Sequence, residues 1–507
     1  MRIKILPLIC LATLPLHAQK EGGINLAEGL ELQLEAQATG STGNYAPTWF
    51  SSNRYGLTPV GKWSNYERAT LTRDSRNDSL HQWRFGYGAD VAVEFNAARN
   101  LVVEQAYVEA GYKKASLTLG SKIRPLEMRN QELSSGGMTF GTNARPIPQA
   151  RIDIDYFSFP STKGWWKWKT YGSFGMTTDG RWQKAFNSTA ATPYCHTSNI
   201  LYHEKALFWK FGKEDCPVPL VYEISLRFGT QFGGTTYNAV GRGINEPELK
   251  HPANLDAFLK ALTCRGSDET DGAYKNTAGN HVGSYLMALG WQGKTWQAKA
   301  YFERFFEDQS MLTVQYGIRD HIFGFELNLP RNRFLSNVVI EQMSTRDQSG
   351  AVYHDPTQTL PDKMAGLDDY YNHSLYAGWQ HYGMGIGHPF LTSPIYNTNG
   401  QVRFLNNRLK AWHVGLNGDP SEEWHWRLML SFTKNWGSVY YPTYDPEKEQ
   451  YLMAEATYKP RWARDWSGTL GLGLDHGDLG KSQKNLGEIG NSLGVQLTLR
   501  KTFRLGR

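Results

Sequence analysis

The residues of this chain whose types could do chemistry fall into two kinds, and those of the first kind lack partners. His203-Glu204 begins a zinc-helix pattern without its second histidine, and His281 has no metal-ligating neighbour at a useful spacing. Asp268, Glu269 and Asp271 ahead of Gly272 would suit a calcium loop, but the full helix-loop-helix spacing is missing and a solvated acidic loop is the plainer reading. Glu303 and Glu455 are of the type that glycosidases use in pairs. That chemistry depends on their separation, which spacing does not set, and ion pairing with Arg427 or Lys299 accounts for them more simply. No nucleophile elbow, phosphate loop or dinucleotide motif stands in a credible context. No catalytic residue, cofactor or metal ion is therefore expected.

The second kind is aromatic. Trp49, Tyr55, Trp63 and Tyr66 lie in a polar segment with Gly and Asn, and Tyr370, Tyr371, Tyr376, Trp379 and Tyr382 crowd another. Such rings stack on the apolar face of a sugar while Asn, Asp and Arg beside them read its hydroxyls, so the clusters suit a polysaccharide surface. Trp379, Tyr371, Tyr370, Asp369 and Asn372 are the candidate contacts in the second cluster. Arg145, with Asn143 nearby, is a further candidate, suited to bidentate contact with an acidic sugar. Interfacial belt or buried core is the alternative for each aromatic, and a structural ion pair is the alternative for Arg145.

The elements that must position these residues repeat with a period of two. Leu493, Val495, Leu497, Leu499, Phe503 and Leu505 alternate with Gly494, Gln496, Thr498, Arg500, Thr502 and Arg504, broken only by Lys501. Near the other end, Leu30, Leu32, Leu34, Ala36 and Ala38 oppose Glu31, Gln33, Glu35 and Gln37. The pattern returns at Trp83 to Phe95, Leu220 to Phe228, Trp296 to Glu303 and Trp424 to Thr433, with shorter strands at Phe323 to Leu329, Leu452 to Tyr458 and Leu470 to Leu474. Strands apolar on one face and charged on the other suit a wall between lipid and a polar lumen. At about 9 to 11 residues per strand plus connections, the chain holds about 16 to 20 of them. Asn44 to Ser79, Met128 to Pro148, Thr178 to Asn199, Thr235 to Asn280 and Thr345 to Thr398 read as long loops, the fourth with a short helix Leu255 to Leu262 capped by Asn254.

Composition agrees with a barrel. Past the first residues no segment supplies the about 18 apolar residues of a membrane helix, and mean hydropathy is −0.52. Aromatics make up 13% of the chain, with 17 Trp and 51 Gly, which suits interfacial girdles and hairpins. Net charge is +6, or +4 without Arg2 and Lys4, with no polybasic run, which gives no footprint for nucleic acid. Arg2 and Lys4, the apolar stretch Ile5 to Leu16, and Leu16-His17-Ala18 read as a cleaved Sec signal peptide over residues 1–18, leaving 19–507 as one barrel with plug and extracellular loops. Cys195, Cys216 and Cys264 then remain, with a Cys195–Cys216 bridge and free thiols both open.

Glu132-Leu133-Ser134-Ser135-Gly136-Gly137-Met138 followed by Asn143-Ala144-Arg145-Pro146-Ile147-Pro148-Gln149 resembles the signature of the Wzi family of outer-membrane capsule assembly proteins, in its Bacteroidetes-type form. Similar blocks follow in order at His203 to Leu207, Gly279 to Tyr285, Phe305 to Asp308, Asp369 to His373, Gly385 to Pro389 and Asn406 to Ala411. The segments Tyr194 to Cys216 and Leu255 to Asp271 have no match in that pattern. The resemblance implies a closed all-β transmembrane barrel of about eighteen antiparallel strands, with helices plugging the periplasmic side and loops over the outer mouth. It also implies a non-catalytic, lectin-like role that attaches or organises capsular polysaccharide at the cell surface, with outer-membrane lipid around a monomer. The rival expectation is a porin or glycan uptake channel.

Overall fold

The computed structural model describes residues 24–95, 101–190, 193–214, 216–238, 247–264, 279–307, 318–350 and 366–506. The expected signal peptide and the acidic run at Asp268 to Gly272 lie outside them.

Eighteen strands form one sheet. They are β1 Leu30–Tyr45, β2 Gly61–Arg73, β3 Trp83–Phe95, β4 Leu101–Tyr112, β5 Ala115–Ser121, β6 Gln149–Ser158, β7 Trp166–Met176, β8 Leu201–Gly212 and β9 Leu220–Phe232. The second half holds β10 Asn280–Gln292, β11 Gln297–Glu307, β12 His321–Asn328, β13 Asn337–Ser344, β14 Leu409–Gly418, β15 Trp424–Gly437, β16 Pro442–Tyr458, β17 Trp466–Gly477 and β18 Ser492–Arg504. Each pairs antiparallel with the next, and β1 pairs with β18 from Glu31 opposite Arg504 to Ser41 opposite Gly494. That last pairing closes the barrel and leaves no free edge.

Alternation sets which face is which. On β18, Leu493, Val495, Leu497 and Leu499 are all about half exposed, whereas Gln496 between them is buried and donates to Thr39 of β1 at 2.9 Å. Apolar residues therefore point out and polar ones in. Trp83 with Tyr112 (ring centroids 4.9 Å apart) and Trp424 with Tyr458 (4.7 Å) belong to an outward aromatic belt near the end that holds both described termini. Among the described residues no helix is long and apolar enough to cross a membrane.

The two ends differ. At the terminal end the strands join through short turns, the longest running from Arg73 to Trp83. All the long connections lie at the far end, including α1 Thr48–Ser51, α2 Gly180–Asn187, α3 Leu255–Thr263 and the segment between β13 and β14. Burial follows: on its inward face β11 passes from an exposed Gln297 to buried Phe305 and Glu307, because the far half of the lumen is filled.

One stretch read as loop is wall. Within Asn44 to Ser79, residues Gly61–Arg73 form β2, and they were not legible as strand because the outward face, Trp63, Asn65, Glu67 and Ala69, interrupts the apolar run with polar residues. Trp63 is exposed on the outer face, while Tyr66 is buried in the lumen and donates to Glu35 at 2.6 Å. The expected helix in the fourth loop is present as α3, with the Asn254 side chain accepting from the Ala257 N–H at 3.0 Å. Among the described residues Cys195, Cys216 and Cys264 form no disulfide, so the Cys195–Cys216 bridge is not formed.

Candidate functional site

The far half of the lumen is closed by chain segments bolted to the wall, and the bolts are ionic. Strap residues 128–141 run across the lumen. Arg129 on the strap and Arg227 on β9 both bond to the carboxylate of Glu303 on β11, which also accepts from the Met138 N–H at 3.1 Å. Glu341 on β13 accepts from the Ser134 hydroxyl and the Ser135 N–H, each at 2.7 Å, and from the hydroxyls of Ser135 and Tyr301. Glu326 on β12 takes the Asn130 N–H at 2.6 Å and the Lys299 ammonium at 2.8 Å. All these carboxylates are under 4% exposed, so each buried charge has its counter-charge or several donors.

Two glycines let the strap turn this tightly. Gly136 has φ of 137°, outside the range of ordinary side chains, and a Cβ on Gly137 would stand 2.4 Å from the Phe140 carbonyl oxygen.

Ser135, His388 and Glu341 meet here in a way that superficially resembles a hydrolytic triad. The His388 Nδ1 accepts the Phe390 N–H at 3.2 Å, which leaves Nε2 protonated and donating to the Ser135 hydroxyl at 3.0 Å. A histidine that donates to the serine oxygen does not activate it, and all three residues are buried, so the arrangement fastens the strap.

It also makes closure depend on pH. Burial pushes the His388 imidazole down to about 3, against 6.5 for the free side chain. On acidification the released segment binds its proton first, so the contribution of His388 to closure is complete above 6.5 and is lost as pH falls from there toward 3, at about 1.4 kcal/mol per pH unit. Ion conductance of the reconstituted protein is therefore expected to rise between roughly pH 6 and pH 4, and His388→Gln, which has no proton to gain, to flatten that rise. Conductance that ignores pH over this window would remove His388 from the closure.

The sequence-predicted contacts sit in this plug. Trp379, Tyr370 and Tyr371 are fully buried. The Trp379 indole donates to the Thr139 carbonyl at 2.8 Å, Tyr370 donates to Asp320 at 2.7 Å, and the Tyr371 hydroxyl bonds to the Met138 carbonyl. Asp369 pairs with Arg403 and accepts from Asn407 at 2.8 Å. Asn372 exchanges two bonds with the backbone of Phe404, both at 2.9 Å. Asn143 is buried against Gly385 and Asn53, and Arg145 meets Glu94 on β3 at 3.2 Å with its guanidinium over the Tyr382 ring. The structural alternative is thus what the geometry gives for Arg145. The aromatic rings have their faces covered by protein, so in this conformation none is open to a sugar. Glu455 pairs with Arg427, as read from the sequence, and also with Arg54 at 2.6 Å.

What does face outward at the plugged end is a rim that the sequence reading missed. Tyr440, in the β15–β16 hairpin, is 60% exposed and carries the Arg403 guanidinium 4.9 Å from its ring centroid. A shallow depression beside it is lined by Tyr194, Asn372, His373, Tyr376, Gln401 and Arg403. Deeper in, between the strap and β6 to β9, lies a cavity of about 110 Å³ open to water, room for a few water molecules and not for a glycan chain.

No protein-family model and no curated protein sequence matches the chain. Among solved structures it is similar to Wzi, an outer-membrane protein involved in group 1 capsule assembly in Escherichia coli and described as a carbohydrate-binding β-barrel. The TM-score is 0.58 at 11% identity, covering 94% of this chain and 85% of that one. The fold is that of an outer-membrane barrel. OccAB2 of Acinetobacter baumannii (TM-score 0.44, 10% identity, 94% of this chain and 97% of that one) and OpdK of Pseudomonas aeruginosa with vanillate (0.44, 8%, 94% and 98%) are also similar. Barrels of this kind turn short hairpins to the periplasm and long loops to the exterior, which faces the plug and the Tyr440 rim outward. The helices expected on the periplasmic side are therefore on the outer side: among the described residues that end carries only turns too short to plug a lumen.

Proposed function

We propose that this barrel is a Wzi-like surface protein that attaches or organises capsular polysaccharide without catalysing a reaction. The observation that carries the reading is convergence: three of the blocks on which the resemblance rests, Glu132 to Met138, Asp369 to His373 and Gly385 to Pro389, meet in one plug, while others, such as His203 to Leu207 and Gly279 to Tyr285, lie in the wall around it. Ser135 meets His388 at 3.0 Å, the Gly141 N–H bonds the Ile386 carbonyl at 2.8 Å, and Tyr371 bonds Met138. A lumen filled by such packing suits a surface-holding protein better than a conduit, and the rim offers the exposed Tyr440 ring with the Arg403 guanidinium over it where a sugar can reach. Asn372, from the candidate set, lines the small depression beside that rim, its amide held by the Phe404 backbone.

The test is the partition of capsular polysaccharide between cell-associated and shed fractions in a deletion strain and its complemented parent. Polysaccharide made in normal amount but shed by the deletion strain is the expected result. An unchanged partition would sink the reading and favour the channel, for which single-channel conductance is the direct measurement.

A further inference from the structure

On β8 and β9 the outward face changes character near the exterior. Tyr202 and Glu204 on β8, and Arg227 and Gln231 on β9, face the plug, since Tyr202 stacks 5.7 Å from Trp379 and Gln231 donates to the Gly378 carbonyl at 3.1 Å. Their neighbours His203, Lys205, Phe228, Thr230 and Phe232 therefore point out of the barrel. Lower on the same face stand Leu207, Ile224 and Leu226, ordinary residues for a lipid-facing wall. Higher up, His203 and Thr230, with His281 on β10, place polar groups where acyl chains would lie, yet all three are under 5% exposed.

Over this patch lies α3, on the outside of the wall and packed beside His203 through Phe174. Phe258 packs 5.1 Å from both Phe174 and Phe232, and Phe174 stacks 4.3 Å from His203. Lys205 reaches up to the end of the helix, where its ammonium bonds the Leu262 carbonyl and stands 3.6 Å from the Cys264 thiol. A cation on the last carbonyls of a helix is favourable on two counts, as a hydrogen bond and through the helix dipole. The face of α3 turned away from the wall carries Leu255, Leu259 and Leu262, 75%, 50% and 44% exposed and spaced as one helical stripe.

We infer that α3 is an interfacial helix whose leucine stripe lies among the acyl chains of the outer leaflet, with Lys205 as the clasp that holds it against the wall. The stripe continues the apolar surface of Leu207, Ile224 and Leu226 across the polar patch that α3 covers. Lipid chains are the occupant such continuity calls for. A helix that lies in the membrane surface in this way adds an anchor to the barrel on the side where a surface polymer would pull.

The experiment uses the full chain refolded into phosphatidylcholine vesicles, with Cys10→Ser, Cys195→Ser, Cys216→Ser and Cys264→Ala and one new cysteine carrying an environment-sensitive fluorophore. Leu259→Cys places the probe on the stripe, and Asp256→Cys places it at a side chain that is 67% exposed beside Lys260. The Leu259 probe is expected to emit at shorter wavelength and to be quenched several-fold more by a lipid-borne nitroxide than by aqueous iodide, with the order reversed at Asp256. Adding Lys205→Ala to the Leu259→Cys chain should abolish the lipid quenching while the heat-shifted gel band of a folded barrel persists. Iodide-dominated quenching at both positions would overturn the inference, as would a Leu259 probe shielded from both quenchers, the signature of a protein partner. If the Lys205 variant fails to fold, the comparison of the two probe positions decides alone.

Discussion

Glu303→Ala is expected to turn a closed barrel into a conducting one. In the parent, Glu303 is the single carboxylate between Arg129 of the strap and Arg227 of the wall, and it is fully buried. Without it Arg227 loses its counter-charge out of water, Arg129 keeps only Glu341 on β13 at 3.5 Å, and the strap loses its charged anchor on β11. Removing one partner of a buried ion pair costs about 3 to 5 kcal/mol, whereas keeping the polar shape costs less. Glu303→Gln should therefore give a smaller effect in the same direction. The strand pairings of β11 involve backbone groups that the substitution leaves alone, from Tyr285 opposite Arg304 to Gln292 opposite Gln297 on one side. The heat-shifted band of the folded barrel should accordingly survive while the plug loosens. Planar-bilayer recordings read the difference: brief or absent openings in the parent, sustained ones in the Ala variant. A variant as silent as its parent would mean that the aromatic packing alone closes the lumen.

That prediction rests on residues whose role was only partly legible beforehand. The wall announced itself where a run of outward residues is apolar, as in parts of β1, β9, β11, β15 and β18, the pattern a lipid-facing strand surface favours. It was hidden at β2, where Asn65 and Glu67 sit on the outer face, and at short strands such as β5. Arg227 and Glu303 could be read as lumen charges from alternation, whereas Glu341 follows the unalternating run Val338-Val339-Ile340 and could not. Their meeting with Arg129, Ser134 and Ser135 could not, since it depends on how a loop folds back across the barrel. The aromatic clusters could not be sorted into site and core for a related reason. A plug core and a sugar platform use the same residues, rings beside Asn, Asp and Gly, and they differ only in whether the ring face is covered. For Trp379 and Tyr371 it is covered, by Tyr202, Phe305 and Phe404 among others. The Asn254 cap gave α3 its place in the chain, while its position outside the wall follows from Lys205, Phe174 and Phe232 on other strands.

The second large effect is expected at the rim. Tyr440→Ala combined with Arg403→Gln should lower retention of capsular polysaccharide at the cell surface and weaken binding of the purified polymer by about 30-fold or more, the size of loss seen when an aromatic or arginine anchor worth about 2 kcal/mol is removed from a binding surface. Because Arg403 also holds the buried Asp369 carboxylate, the heat-shifted gel band of the folded barrel is read alongside binding for this pair. Tyr440 already stands 60% in solvent, so truncating it opens no cavity. Arg403 bonds Asp369, which keeps its Asn407 partner at 2.8 Å when the arginine is replaced. The comparison is with Leu80→Ser, at a residue 98% exposed on the opposite end of the barrel, which should leave retention unchanged. Should the rim variant retain polysaccharide as the parent does while the deletion strain sheds it, attachment would stand and the contact would belong elsewhere on the outer face. Should both shed it to the same extent, the guanidinium held over the Tyr440 ring is where the polymer is gripped, and a carboxylated sugar becomes the first ligand to try.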